Sequence, residues 1–394
     1  MLIGIVGKPS SGKSTFFKAM TLADIDIANY PFTTIKPNRG AGHVKIKDIA
    51  QEYGKPSNPR EGFTIDKFRF VPVELLDVAG LVPGAHEGKG MGSQFLDDLN
   101  QADALIHVVD ISGSTNEKGE PVPTLSYSPS NDVRFLEFEL DMWYLRILKK
   151  GWEKFSRTVQ QEHLEISKAL AKQLSGLRVT EDMVKKYAKD LPENPTSWSE
   201  EEMFKLASKL RAETKPMIIA ANKIDIPGSE ENYEQLKKEF PNHIIFPCSA
   251  ESELALKEAH KHKLIHYLPG ENNFEIKKDL TKEQTKGLEL IKNNVLSSFN
   301  FTGVQKIIDT AVFDSLNRIA IHPGGVSKLE DSDGNVLPDC FLMKEGTTAL
   351  EFAFRLHTDF GKKFIRAIDV KTKRTIGKDH QLKHLDIIEL ILGK

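Results

Sequence analysis

Cysteine is scarce: Cys248 and Cys340 are the only two in 394 residues. Two thiols cannot form a zinc cluster by themselves or a disulfide framework, and one conceivable pair is weak support for an oxidising compartment. No apolar run approaches the ~18 residues that span a bilayer, so no membrane segment is expected. Met1 passes directly into the apolar run Leu2–Val6 with no basic stretch before it, so a cleaved leader is not expected either, and the chain reads as cytoplasmic. Charge of one sign is also missing. The 54 lysines and arginines nearly balance the 56 acidic residues, so any surface for a polyanion has to be local. With 39% hydrophobic and 28% charged residues and no excess of glycine or proline, extended disorder is excluded as well. The length points to two or three domains.

What is present, in the first half, is an alternation of short Ile- and Val-rich runs with helical stretches. The runs are Leu2–Val6, 68–76, 104–109, 217–221 and 243–246, each followed by a polar or glycine-rich loop. That pattern predicts an α/β fold, a mostly parallel sheet covered by helices, with ligands at the carboxyl ends of the strands. Between the third and fourth runs the spacing becomes helical, with apolar residues at Phe135, Phe138, Leu145 and Leu148 and then at Leu164, Ile166, Leu170 and Leu174. This segment is either an inserted helical hairpin or coiled coil, or a set of helices packed on its own domain. Past Asn300, the alternation in Ala349–Leu356 and the runs 364–370 and 387–392 suggest short strands around one helix, a small β-grasp-like α+β domain. The expected parts are residues 1–112 and 214–317 as one split domain, 113–213 as the helical insertion, and 318–394 as the small domain.

The chemistry lies in the loops. Gly7-Lys8-Pro9-Ser10-Ser11-Gly12-Lys13-Ser14-Thr15 follows a strand and opens a helix, with the spacing Gly, four residues, Gly-Lys-Ser. Backbone N–H groups there can cradle a β-phosphate, the Lys13 ammonium can sit between β- and γ-phosphates, and the Ser14 hydroxyl can ligate Mg²⁺. Asp77-Val78-Ala79-Gly80 ends the second run, placing a carboxylate where it can hold Mg²⁺ through water, with Gly80 free to turn toward a γ-phosphate. A threonine must close the metal site from between these motifs; Thr34 is the preferred candidate and Thr33 the alternative. Asn222-Lys223-Ile224-Asp225 follows the fourth run and Ser249-Ala250 the fifth, the order a guanine site requires. Asp225 would accept from the two donors on one edge of guanine, Asn222 would brace the loop, and the Lys223 stem would cover the base. Leu81 cannot orient an attacking water, so intrinsic hydrolysis is expected to be slow. His86 in the same loop is given no catalytic role.

These residues, together with the stretch Gly80-Leu81-Val82-Pro83-Gly84-Ala85-His86-Glu87-Gly88-Lys89-Gly90-Met91-Gly92 and Gln101-Ala102-Asp103-Ala104-Leu105-Ile106-His107-Val108-Val109-Asp110, resemble the Obg-like translation-factor GTPases. The likeness is strongest to the YchF, or Obg-like ATPase, subfamily of archaeal type. Phe352–Lys362 is similar to part of a TGS domain. The resemblance implies GTP and GDP as ligands, Mg²⁺ as cofactor, and a ribosome or RNA as partner through the TGS-like domain and the helical insertion. Two positions depart from the pattern. Many relatives relax base specificity with Glu at the end of the fourth motif, where this chain has Asp225; GTP is therefore expected over ATP, with a relaxed ATPase and a non-hydrolysing nucleotide-binding module as the alternatives. Potassium-activated relatives carry Asn where this chain has Ser10, which puts potassium dependence in doubt. Nine lysines and arginines against three aspartates from Arg355 to Lys383 give that stretch a net charge of +6, enough to track a phosphate backbone or simply to remain a solvated face.

Overall fold

The computed structural model describes residues 1–22, 38–78 and 98–393. The chain forms two compact units. The first comprises Met1–Phe17, Leu75–Glu253 and Glu289–Gly303; the second comprises Lys18–Glu74, Leu254–Leu288 and Val304–Lys394. The first half supplies strands β1 (Leu2–Val6), β2 (Arg39–Lys47), β3 (Phe63–Ile65), β4 (Phe68–Asp77), β5 (Ala104–Asp110), β6 (Met217–Asn222) and β7 (Ile244–Cys248).

In unit one, β1, β5, β6 and β7 pair in parallel in that order, which is why β1 and β5 read as unbroken apolar runs: both faces are covered. The register aligns Asp110 with Asn222 and Asn222 with Cys248, so three strand tips end level. Helix α1 (Lys13–Thr21) leaves the end of β1 through the glycine-rich loop. The inserted segment is not a long two-helix arm. It is a bundle of α2 (Ser130–Lys149), α3 (Trp152–Gln161), α4 (Ile166–Gln173), α5 (Glu181–Ala188) and α6 (Glu200–Thr214). Its apolar side chains share one core with Leu2, Val6 and Leu105 of the sheet, so the insertion packs on its own domain. Phe138 and Leu164, which fall on the apolar stripe in sequence, are exposed. Inside the bundle the buried Arg211 bridges Asp141 at 2.7 Å and Glu137 at 3.1 Å. Helices α7 (Ser229–Glu239) and α8 (Ala250–Lys261) follow β6 and β7.

Unit two holds β2, β3 and the first part of β4, with β3 antiparallel to β4, then the hairpin β8 (Ile265–Tyr267) and β9 (Phe274–Ile276), and helices α9 (Lys282–Ile291, through Leu288) and α10 (Val304–Thr310). It also contains a five-stranded sheet built from β10 (Arg318–Pro323), β11 (Phe341–Lys344), β12 (Phe364–Asp369), β13 (Arg374–Ile376) and β14 (Asp386–Leu392), in the order β11-β10-β14-β12-β13. Helix α11 (Ala349–Leu356) lays Ala349, Phe352 and Ala353 onto Ile319, Ile321, Ala367 and Ile388 of this sheet. The alternation in 349–356 suggested a strand; the segment is a helix instead. The reason is local: Thr348 and Glu351 form a reciprocal capping box at its start, and the buried positions 349, 352 and 353 follow the helical period and not the alternating one set by Leu350, Phe352, Phe354 and Leu356.

Candidate functional site

Three loops meet where β1, β6 and β7 end. At the first, Gly7 has no room for a side chain, since a Cβ would lie 2.5 Å from the carbonyl of Val108, and Gly12 adopts φ +87° with Asn222 Nδ2 2.2 Å from where a Cβ would sit. Only glycine allows so close an approach with that backbone. Asn222 donates from Nδ2 to the Ser11 carbonyl at 2.9 Å and accepts at Oδ1 from the Ala250 N–H at 3.0 Å. One buried amide therefore joins the glycine-rich loop, the fourth motif and the fifth. The Ile224 N–H donates to the Cys248 carbonyl at 3.1 Å, Ser249 N–H donates to Thr302 O at 2.9 Å, and the Ser249 hydroxyl donates to Ser252.

Lys13 and Ser14 stand on the first turn of α1, where the N–H groups of a helix start lack intrahelical partners and can receive an anion. The Lys13 ammonium donates to the Asp77 carboxylate at the tip of β4, while Ser14 is exposed and Thr15 half-buried on the same turn. Asp225 is half-buried and Pro9 and Ser10 are exposed, Ser10 with φ +61°. Hard oxygen donors at Ser14 and Asp77, beside an ammonium that now offsets the carboxylate, suit a divalent cation bound together with phosphate. Thr33, Thr34, Gly80, Leu81 and His86 lie outside the described residues.

Two tethers were not anticipated from sequence. Asp110 is fully buried and accepts from Ser112 Oγ at 2.5 Å, Thr115 Oγ1 at 2.7 Å and Lys223 Nζ at 2.9 Å. Burial opposes its ionisation, but the donors Ser112, Lys223 and Thr115 prevail and hold the carboxyl below its usual range. Lys223 itself has φ +67°, and the ion pair fixes where its ammonium ends. Lys8 is 6% exposed. Its ammonium reaches Asp132 at 2.9 Å and the Thr115 carbonyl at 2.8 Å, and lies 4.0 Å from the centroid of the Tyr127 ring. Burial raises the Asp132 carboxyl in spite of this cation and of the Tyr127 hydroxyl, which donates to it at 2.9 Å. Gly119 closes the same corner: at φ +80° its missing Cβ leaves room for Pro9, whose carbonyl oxygen would be 2.6 Å away. The hydroxyl-rich run Ser112-Gly113-Ser114-Thr115 directly after a strand was the available sequence signal for the first tether; the second joins residues more than a hundred positions apart and left none.

Three family descriptions match parts of the chain and leave residues 134–219 unmatched: "50S ribosome-binding GTPase" at residues 2–133, "Obg-like GTPase YGR210-like, G4 motif-containing domain" at 220–325, and "TGS domain" at 332–392. A GTP-binding protein of Methanocaldococcus jannaschii is 50% identical over 99% of this chain and 98% of its own. This chain belongs to the Obg-like GTPases. A crystal structure of a GTP-binding protein from Pyrococcus horikoshii OT3 superposes with a TM-score of 0.78 at 37% identity, with all of both chains covered. A more distant relative from Bacillus subtilis, named a ribosome-binding ATPase, is 28% identical over 66% of this chain and 69% of that one. As a member of the Obg-like GTPases the chain has the P-loop α/β fold, a nucleoside-triphosphate hydrolase domain and a carboxy-terminal TGS domain. Among the described residues no helix is long and apolar enough to cross a membrane.

Proposed function

We propose that the protein is a cytoplasmic GTP-preferring, Mg²⁺-dependent hydrolase of slow intrinsic turnover that acts as a ribosome- or RNA-linked switch. The observation that carries the proposal is Asn222, whose one side chain is bonded to both Ser11 and Ala250; a phosphate held by the first loop and a base held by the other two would be read by one rigid unit. In this reading the N–H groups of the Gly7–Thr15 loop and the Lys13 ammonium would bind the β- and γ-phosphates, and Ser14, Thr34 and, through water, Asp77 would hold Mg²⁺. The cation supplies charge neutralisation between those phosphates. Lys13 would release Asp77 as the anion arrives. Asp225 accepts from guanine N1–H and the exocyclic amine, and Lys223, anchored on Asp110, lays its stem over the base. Gly80 would register the γ-phosphate, and Leu81 offers neither donor nor acceptor to the attacking water, so something other than residue 81 would orient it. The ribosome link is supported by the relative named ribosome-binding, by the TGS domain, and by nine basic side chains from Arg355 to Lys383 that are all exposed.

Base preference is the point at which this reading and the ATPase alternative part. Adenine offers an acceptor and a C–H along the edge that Asp225 would face, leaving a desolvated carboxylate unpaired, and a site built for such donors can reject an analogue lacking them by as much as ~10⁴-fold. Asp225→Asn supplies an amide donor suited to the extra carbonyl of xanthine, so this variant is expected to lose GTP affinity and gain XTP affinity. Equilibrium titrations of GTP, ATP and XTP against parent and variant decide the matter, and parental ATP binding as tight as GTP binding favours the relaxed ATPase.

A further inference from the structure

Unit two contains a cavity of about 200 Å³, far above the roughly 10–15 Å³ that one water requires. None of its lining residues belongs to the glycine-rich loop or to the motifs at 222–225 and 249–250. One wall is aromatic. Phe63 stacks on Phe70 with ring centroids 4.7 Å apart and 9° between planes, and the His43 ring lies 5.0 Å from Phe63. His43 is 6% exposed, and its Nε2 has no hydrogen-bond partner among the described residues. Burial first, and the Lys257 ammonium second, push this imidazole down to about 3, so at neutral pH it keeps one N–H and one lone pair for a polar edge. A second group of lining residues is basic. Lys257, His260 and Lys261 line the same space from one face of α8. Lys257 is positioned by donating to the Ala19 carbonyl at 2.8 Å, and Lys261 is exposed, which marks the mouth.

An aliphatic guest would leave the His43 nitrogen unsatisfied, and a bare inorganic anion would leave the aromatic wall unused. A flat heteroaromatic ring with an attached anion meets all three features at once: the ring face against Phe63, its polar edge toward His43, and the anion at the lysines. We propose that this cavity is a second nucleotide site that takes a nucleobase carrying a phosphate, with the base against Phe63 and His43 and the phosphate at Lys257 and Lys261. A free mononucleotide and an unpaired RNA nucleotide share this chemistry.

The test uses the full chain saturated with GDP and Mg²⁺, titrated separately with AMP and with a 5′-phosphorylated single-stranded uridine hexamer. Affinity is read by calorimetry and the site by the ¹⁵N shifts of His43. At least one probe is expected to move His43. Lys261→Glu and, independently, Phe63→Leu should each weaken that binding about tenfold or more, with melting temperature and GDP affinity as checks that both variants fold. AMP binding identifies free nucleotide as the source, and binding of the hexamer alone identifies RNA. Lys13→Ala should leave the affinity of the cavity unchanged, which separates its fate from that of the phosphate loop. Silence of His43 with both probes, binding indifferent to both substitutions, or binding lost with Lys13→Ala overturns the proposal.

Discussion

At the strand tips of unit one, distant loops are joined by single buried polar side chains: Asn222 between Ser11 and Ala250, Asp110 under Lys223, Lys8 between Asp132 and Thr115. In unit two, the five-stranded sheet meets the segment that follows β2 mainly through apolar contact, with Ile49 and Ala50 packed among Leu337, Val370 and Ile387. The polar links there are mostly at the rim, such as Arg60 to Asp339 at 2.8 Å, and the exception is Arg69, buried and donating to the carbonyls of Leu337 and Pro338. The first arrangement fixes a geometry in which each side chain has one correct partner. The second fixes a packing in which many contacts share the load and a single rim link contributes little. Removing a link should therefore affect ligand binding in unit one and stability in unit two.

The largest effect is expected at the ligand itself. Lys13→Ala removes the only ammonium on the first turn of α1, and triphosphate binding or turnover should fall by a hundredfold or more, about the loss that ~3 kcal/mol of charge-assisted contact represents. Nucleotide titration and single-turnover hydrolysis check it; unchanged binding and turnover would remove Lys13 from the proposed site. A protein losing ligand affinity here should melt close to the parent in the absence of nucleotide, because Lys13 and Asp77 are both partly solvated.

The comparison is sharpened by a matched pair of buried cations. Lys8→Met strands the Asp132 carboxyl, while Arg69→Met strands two backbone carbonyls, and each variant should lose about 2–4 kcal/mol of unfolding free energy. Only Lys8→Met should also weaken nucleotide binding, since Lys8 belongs to the loop that would hold the phosphates. Urea denaturation alongside nucleotide titration separates the two; an Arg69→Met variant with weakened nucleotide affinity would show that unit two is not merely packed.

Much of this arrangement was legible in advance, and the boundary of legibility has a physical cause. Strand runs such as Leu2–Val6 and 104–109 announce themselves because parallel strands are buried on both faces, and the loop motifs do so because phosphate and base chemistry demands fixed spacing. The Lys8 tether was invisible because its partners are set by tertiary contact and not by neighbours in the chain, whereas the Asp110 tether left a signal in the hydroxyl-rich run that follows it. Phe138 and Leu164 continued an apolar stripe yet face solvent, Phe138 on the outer side of α2 and Leu164 in the connection between α3 and α4, outside any helix. Ala349–Leu356 fits two periods at once, and the capping pair Thr348 and Glu351 decided between them.

A pH series probes both units. His107 in unit one and His43 and His322 in unit two are buried with their imidazoles pushed down to about 3, chiefly by burial. A histidine whose folded value lies below its unfolded ~6.5 contributes stability that is complete above pH 6.5 and is lost as pH falls toward 3. Each should cost about 1.4 kcal/mol per pH unit well inside that window. Replacing any one of them with Phe or Asn should reduce the slope of unfolding free energy against pH by one proton, measured by denaturant titration between pH 4.5 and 6; an unchanged slope would mean that the residue protonates without opening its site.

The smallest effect on the folded protein, and the most specific, is expected on the carboxy-terminal sheet. None of the nine basic side chains from Arg355 to Lys383 is ion-paired among the described residues, and Lys371, Lys373 and Arg374 are all exposed around the β12–β13 turn. Exposed unpaired cations contribute almost nothing to stability, so reversing these three to Glu should leave the melting temperature within about a degree or two. Their effect on a polyanion is different, because every phosphate they neutralise releases counterions. If this surface contacts RNA, the logarithm of the association constant falls linearly with the logarithm of salt, with a slope near −0.7 per neutralised phosphate on a single strand. The triple variant should lower the magnitude of that slope by about 2 for ribosome or RNA association, with nucleotide affinity unmoved. Cosedimentation across a salt series reads it, and a parental association that is already independent of salt, or a slope that survives the triple reversal, would make these residues a solvated face and leave the ribosome link to the insertion or to the G domain.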